Sequence, residues 1–457
     1  MRPQQIVDMG VSLLGRDRGV VLVEQHAVAA LRWANSTLTT NGLSAAQQVC
    51  VVAQPELPGG LASGTASGTV TEAADLAELV GRARRAAVGS GPAQDAADEV
   101  AVRPASPDWS DPAEGVGPDD LAAVSLLLGD VLPARDVEHY GYAEHAVTTS
   151  YLGTTGGLRL RHVQPTARFE LSGKSQGRTR SAWAGRSGRH FDDMDLATTA
   201  DEVRRGLAAQ ATRIEVPPGR HTVVLSPSAV ADLMVYLVWS AGALDALEGR
   251  SAFSRAGGGT RIGERLATVP FWLRSDPRSP GLECADHLQA VHSSPVSSPF
   301  DAGLPRGATD WIAEGTLRAL MTTRHSATLA GIGSTPPVDN LLAGVGGASG
   351  TLDEVAARVG DGLVVTCLWY IREVDPQSLL LTGLTRDGVY VVRGGEVVGA
   401  AGNYRFNESP LGILRRIADA GTPTDCLPRE WADWFARTRM APLAIAEFNL
   451  SSASEAV

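Results

Sequence analysis

The chain predicts an α+β protein in two units: an N-terminal mixed α/β domain over residues 1–218, then a largely antiparallel β-rich domain with a buried helix over residues 219–457. Three observations lead there. The 457 residues exceed what one domain of about 100–200 residues usually holds. The 50 glycines favour turns and hairpins over a helical bundle. Alternating apolar and polar runs dominate, and only a few segments carry helical spacing.

Taken in order, residues 20–24, 29–35 and 49–53 read as short strands, with Asn41-Gly42 as a turn signal between them. Thr71 opens a helix in which Leu76, Leu79, Val80, Ala83 and Ala87 fall on one face; Gly89 closes it. Residues 89–119, rich in Pro, Gly, Ser, Asp and Ala, read as a mobile connection. A helix is expected over 119–132, β-structure over 145–191, and a helix over 196–210 with Thr199 and Asp201 near its start. Residues 223–225 form an apolar strand, and Ser226-Pro227-Ser228 starts a helix over 229–247 that is apolar on nearly all sides. Asp232 and Asp245 leave too short an apolar run to cross a bilayer, so this helix is expected in the protein core. Beyond Gly257, strands are expected over 267–273, 363–369, 389–392 and 396–400, with helices over 352–359 and 411–420. No periodic repeat is present.

The formal net charge of -11 argues against nucleic acid and against an anionic membrane as partners. The basic group Arg178, Arg180, Arg186 and Arg189 reads as a solvated hairpin face. Cys50, Cys284, Cys367 and Cys426 lie far apart and read as reduced thiols. Residues 1–8 are polar and residues 11–14 too short for a secretory apolar core, so a cytoplasmic protein is expected. Lys174 is the single lysine and hence the sole candidate for Schiff-base or phosphate-lysine chemistry.

Most motif tests are negative. Gly173-Lys174-Ser175 resembles the end of a phosphate loop, but the required upstream glycine is Arg168. Residues 344–350 resemble a dinucleotide fingerprint, yet Ser349 replaces its third glycine, and a glycine loop capped by Thr351 fits better. No Gly-x-Ser-x-Gly elbow occurs. No two of the nine histidines are spaced to share a helix face as zinc ligands. Cys284, Asp286 and His287 form the best local cluster, in a segment that reads as a loop.

Three stretches carry a likeness to a known family. They are residues 223–263, including Gly249-Arg250-Ser251-Ala252-Phe253-Ser254 with the following Ile262-Gly263-Glu264-Arg265; residues 337–347, with Asp339-Asn340-Leu341; and residues 362–403, where Val-Tyr-Val-Val-Arg-Gly-Gly-Glu-Val-Val-Gly forms a strand, turn and strand. In this order they resemble the TldD/PmbA family, also called TldD/TldE, and residues 34–42 and 71–87 match its opening more loosely.

The family has two kinds of subunit. The TldD kind carries a His-Glu-x-x-x-His helix and a C-terminal cysteine that bind catalytic zinc, with an open position for the attacking water. In this chain Val235 and Ser240 stand where the histidines fall, and Tyr236 stands at the glutamate. Valine cannot ligate, serine is a poor zinc ligand, and a tyrosine of ordinary pKa near ~10 is a poor base. Cys426 lies near the zinc-cysteine position, in a context unlike the true ligand. The resemblance implies a PmbA/TldE-type subunit without its own metal or catalytic residues. Its implied partner is a TldD-type zinc subunit, the complex cleaving peptides or unfolded chains; a homodimer without that partner is also open. Two alternatives stay open: a stand-alone peptide-binding scaffold, and a hydrolase using Cys367 or Cys426 as nucleophile.

Overall fold

Two long hairpins build the N-terminal half of the computed structural model, which describes residues 1–454. The expected short strands merge into Arg18–Ala34 and Thr37–Gln54, paired along their length. The reversal falls at Asn35-Ser36, both with positive φ (49° and 55°), and not at Asn41-Gly42, which lies inside the second strand. A two-residue loop of this hand matches strand twist, so the turn follows the register of pairing rather than the Asn-Gly dipeptide. Val137–Thr154, Arg159–Ser175 and Arg180–Gly188 complete a six-stranded sheet with Gly64–Gly68 at its other edge.

One face of this sheet carries four helices: α1 (Pro3–Leu14), α2 (Ala73–Ser90), α3 (Ala122–Val131) and α4 (Leu196–Ala209). The buried face of α2 is Leu76, Leu79, Val80, Ala83 and Ala87, as its spacing predicts, but the helix runs past Gly89 and is capped by Gly91. Asp195, rather than Thr199 or Asp201, caps α4 by accepting a hydrogen bond from the Thr198 amide. The connection between α2 and α3 docks on the sheet: the Ser106 amide donates to the Arg159 carbonyl at 2.9 Å and Trp109 packs edge-on against Tyr151. The opposite face meets Ala302 of the second half through Val20, Leu22 and Leu160.

From Gly219 onward, a six-stranded and a nine-stranded sheet share one apolar core. Between them lies the expected buried helix, which the structure divides into α5 (Pro227–Trp239) and α6 (Ala243–Leu247). Ser226 is its N-cap and Pro227 its first residue. The break at 240–242 arises because this backbone finds tertiary partners: the Met321 amide donates to Ala241 and the Ala243 amide to Met321. Residues 411–420 likewise divide into a short helix, Pro410–Leu414, and a strand, Ile417–Ala420, paired with Leu443–Ser454. Residues 363–369 split between Gly362–Val365 and Leu368–Asp375, and the strand expected over 267–273 is Phe271–Ser275. Leu352–Val359 and Glu396–Ala400 fall where expected. No described helix is long and apolar enough to cross a membrane.

Candidate functional site

Helix α5 packs on the strands Thr424–Cys426 and Thr438–Met440 on one side and on Gly219–Leu225 on the other. Apart from Tyr236, residues 228–238 are buried, because each side of the helix faces a sheet. The structure therefore brings Val235, Tyr236, Ser240 and the strand of Cys426 into one region. Val235 is part of the core. Ser240 caps the helix C-terminus, and its hydroxyl donates back to the Tyr236 carbonyl at 3.0 Å. Cys426 is buried beside Thr438, with Sγ 3.3 Å from Oγ1, and burial pushes its thiol up to about 12. This donor set does not fit a zinc ion: one position has no lone pair, one hydroxyl is turned into the helix, and the thiol stays protonated in an apolar setting.

The other sequence candidates are separated. Asp286 Oδ1 accepts from His287 Nδ1 at 3.0 Å, while Cys284 is buried and its thiol is pushed up to about 11 by burial. No group of three or more His, Cys, Asp and Glu among the described residues is arranged to hold a metal. Lys174 is the penultimate residue of the strand Arg159–Ser175 and lies over the Tyr140 ring. Arg178, Arg186 and Arg189 each pair with a glutamate, Glu138, Glu202 and Glu283 respectively, so they form no free basic patch.

Sequence reasoning missed two features beside α5. The first is an aromatic surface. Tyr236 lies 5.6 Å from Trp431, and Trp239 lies 5.2 Å from Trp431 and 6.4 Å from Phe435. Trp434, 6.4 Å from Trp431, is 72% exposed, and Tyr370 is 61% exposed. Tyr370 sits at φ 59° in an irregularity of the Leu368–Asp375 strand. Glu430 holds this bulge: its carboxylate accepts from the Tyr370 amide at 2.8 Å, the Ile371 amide at 3.2 Å and Arg372 at 3.0 Å. A bulge re-aims side chains, and here it turns the Tyr370 ring outward beside Arg372, whose guanidinium lies 4.7 Å from the ring centre. Burial pushes the Tyr236 phenol up, and the charge of Glu373 adds to this, which leaves it a hydrogen-bonding and stacking group. The sequence signal was available: Trp431, Trp434 and Phe435 cluster after Pro428 in a chain with 5% aromatic residues.

The second feature is a buried polar array. Arg429 lies between the rings of Trp183 and Trp369, at 4.9 and 5.2 Å. Its Nη1 is 2.5 Å from Asp387 Oδ2 and 2.8 Å from Cys367 Sγ. Ser181 of the N-terminal sheet donates to Asp387 Oδ1 at 2.6 Å. Burial raises the Asp387 pKa, but Arg429 and Ser181 more than offset it, leaving the carboxyl below its usual range. Burial pushes the Cys367 thiol up to about 12, which argues against its use as a nucleophile.

Asp232, on α5, ties the array to the aromatic surface. Its Oδ1 accepts from the Glu430 amide at 2.9 Å, and its carbonyl accepts from Trp431 Nε1 at 2.8 Å. Its Oδ2 is buried with no hydrogen-bond partner, and burial holds the carboxyl well above the usual range. The sign follows from linkage. Above the ordinary carboxylate pKa of about 3.9, the unfolded chain loses this proton while the folded chain keeps it, so stability from this group declines as pH rises. Asp232→Asn, which cannot ionise, is expected to equal the parent in melting temperature near pH ~4 and to exceed it increasingly towards pH ~7. Melting curves at both pH values check this; a variant less stable at the higher pH refutes it.

The fold and site together define an α+β protein built on two linked sheet units, with an aromatic surface beside a buried helix that bears valine, tyrosine and serine at positions 235, 236 and 240. Its fold is that of two proposed DNA gyrase modulators. The protein from Thermotoga maritima has a TM-score of 0.74 at 15% identity over 98% of this chain and 99% of that one. The protein from Bacteroides thetaiotaomicron has a TM-score of 0.73 at 12% identity over 98% and 97%. TldE from Thermococcus kodakarensis has a TM-score of 0.70 at 14% identity over 98% of each chain. No curated protein matches the sequence. The family model for the PmbA/TldA metallopeptidase C-terminal domain matches residues 218–452, and the chain belongs to the TldD/PmbA metallopeptidase family.

Proposed function

We propose that this chain is the TldE-type, non-catalytic subunit of a zinc metallopeptidase, holding peptide substrate for a TldD-type partner whose His-Glu-x-x-x-His helix carries the zinc. One observation supports the reading: the helix that carries Val235, Tyr236 and Ser240, which the resemblance sets at the family's metal motif, ends at Trp239, whose ring meets Trp431, and Trp431 in turn meets the exposed Trp434. An aromatic surface of this kind offers area for apolar side chains of a peptide at low entropic cost, and it supplies no attacking water or base. The cytoplasm fits a subunit whose four cysteines are all free thiols.

The test is to purify the chain alone and together with a TldD-type subunit, then measure bound zinc and hydrolysis of an unfolded protein substrate. Zinc and hydrolysis are expected only in the presence of the partner. Stoichiometric zinc with hydrolysis by the isolated chain would sink the reading. The stand-alone scaffold reading predicts peptide binding with no co-purifying zinc subunit. The cysteine-hydrolase reading is disfavoured by the burial of Cys367 and Cys426.

A further inference from the structure

Cations sit over several aromatic rings of this chain. Arg161 lies 5.6 Å from the centre of Tyr151, Arg168 5.1 Å from Tyr142 and Arg372 4.7 Å from Tyr370, while Arg429 lies between Trp183 and Trp369. The rings beside α5 lack such a partner. Among the described residues no arginine or lysine lies over Tyr236, Trp239, Trp431 or Trp434, although Trp239 and Trp434 are exposed.

The charges around these rings are unbalanced in one direction. Glu373 is exposed, and its charge acts on the Tyr236 phenol. Among the described residues its carboxylate has no ion-pair or hydrogen-bond partner. Asp433, next to Trp434 in the chain, is 69% exposed and engages Arg168 through Oδ1 alone. The cations in reach are already matched. Arg372 pairs with Glu430 at 3.0 Å and stacks on Tyr370, and Arg168 pairs with Glu144 and Asp433. The exposed charge left over beside the open rings is therefore negative.

We propose that this surface takes a lysine or arginine side chain of the bound peptide, with its aliphatic stem along the rings and its charge drawn to Glu373. The proposal rests on the peptide-holding role above and names the side chain which that role selects. Three physical terms favour a long cationic side chain over the alternatives. The face of an indole attracts a cation through its quadrupole. The unpaired carboxylate adds an attraction that an apolar side chain does not feel and that an acidic one feels as repulsion. Lysine and arginine can also cover apolar area with their stems while the charged head stays wet, whereas the terminal ammonium of a peptide has no stem to lay on the rings. The net charge of -11 steers cationic segments towards the chain as a whole.

The test titrates the full chain with short acetylated and amidated peptides, identical except for a central Lys, Arg, Leu or Glu, and follows tryptophan fluorescence at low and high salt. The Lys and Arg peptides are expected to bind about tenfold more tightly than the Leu peptide, and the Glu peptide more weakly still, with the gap narrowing in salt. Glu373→Gln, at an exposed site, is expected to cut the preference for Lys over Leu several-fold at unchanged melting temperature. Equal affinities for Lys, Leu and Glu overturn the proposal, as does a preference that Glu373→Gln leaves untouched. A Leu peptide with a free N-terminus that matches the Lys peptide also overturns it, by assigning the cation to the chain terminus. In each of these cases peptide is still bound, so the peptide-holding reading stands. If none of the peptides binds, both fail.

Discussion

Arg429→Met is expected to destabilise the protein by about 3–5 kcal/mol, because it takes the closer of two counter-charges from the buried Asp387 carboxylate and leaves only Arg386, 3.6 Å away. The guanidinium also fills the space between Trp183 and Trp369, and no aliphatic side chain reproduces that stacking. The measurement is the denaturation midpoint at unchanged slope. A second variant isolates the cause. Arg429→Met/Asp387→Asn removes both charges and should be more stable than Arg429→Met alone, with a coupling of about 0.5–3 kcal/mol. Strictly additive costs would show that the pair is not the source of the loss. Ser181 and Trp183 come from the N-terminal sheet, whereas Asp387 and Arg429 come from the second half, so the same change should loosen the contact between them.

Trp431→Ala carries the second large effect. Its ring touches Tyr236, Trp239 and Trp434, and its indole N–H is bonded to the Asp232 carbonyl. Truncation of a mostly buried Trp removes transfer energy and leaves a cavity, together costing about 3–5 kcal/mol. Trp434→Ala makes an informative contrast. At 72% exposed, this residue should change stability by no more than about 0.5 kcal/mol. If the aromatic surface holds peptide, Trp434→Ala should still reduce binding of an unfolded polypeptide to the complex several-fold, read by fluorescence titration. Unchanged binding with an intact fold would remove Trp434 from the substrate surface.

How much of the site was legible follows from where its residues get their partners. Val235, Tyr236 and Ser240 could be placed on one helix because Ser226-Pro227 starts it and its apolar run is local. Arg429, Glu430 and Asp387 read as ordinary polar residues. Their meaning comes from Trp183, Cys367, Tyr370 and Asp232, which lie from tens to hundreds of residues away. Asp232 appeared in the sequence only as an interruption of an apolar stretch, yet it pins α5 to the segment that bears the aromatic surface.

The sequence by itself determined the features that are satisfied within a few residues: the buried stripe of α2, the Ser226 cap of α5, and the Thr351 cap with its Glu354 capping box. Helical hydrogen bonds and caps close over three or four positions, so their signals are local. The tertiary structure alone decided strand length, the Asn35-Ser36 turn, the division of α5 from α6, and the fate of residues 411–420. A strand edge or a freed backbone amide takes whichever partner the fold supplies, and Met321 and the C-terminal strand supplied them here.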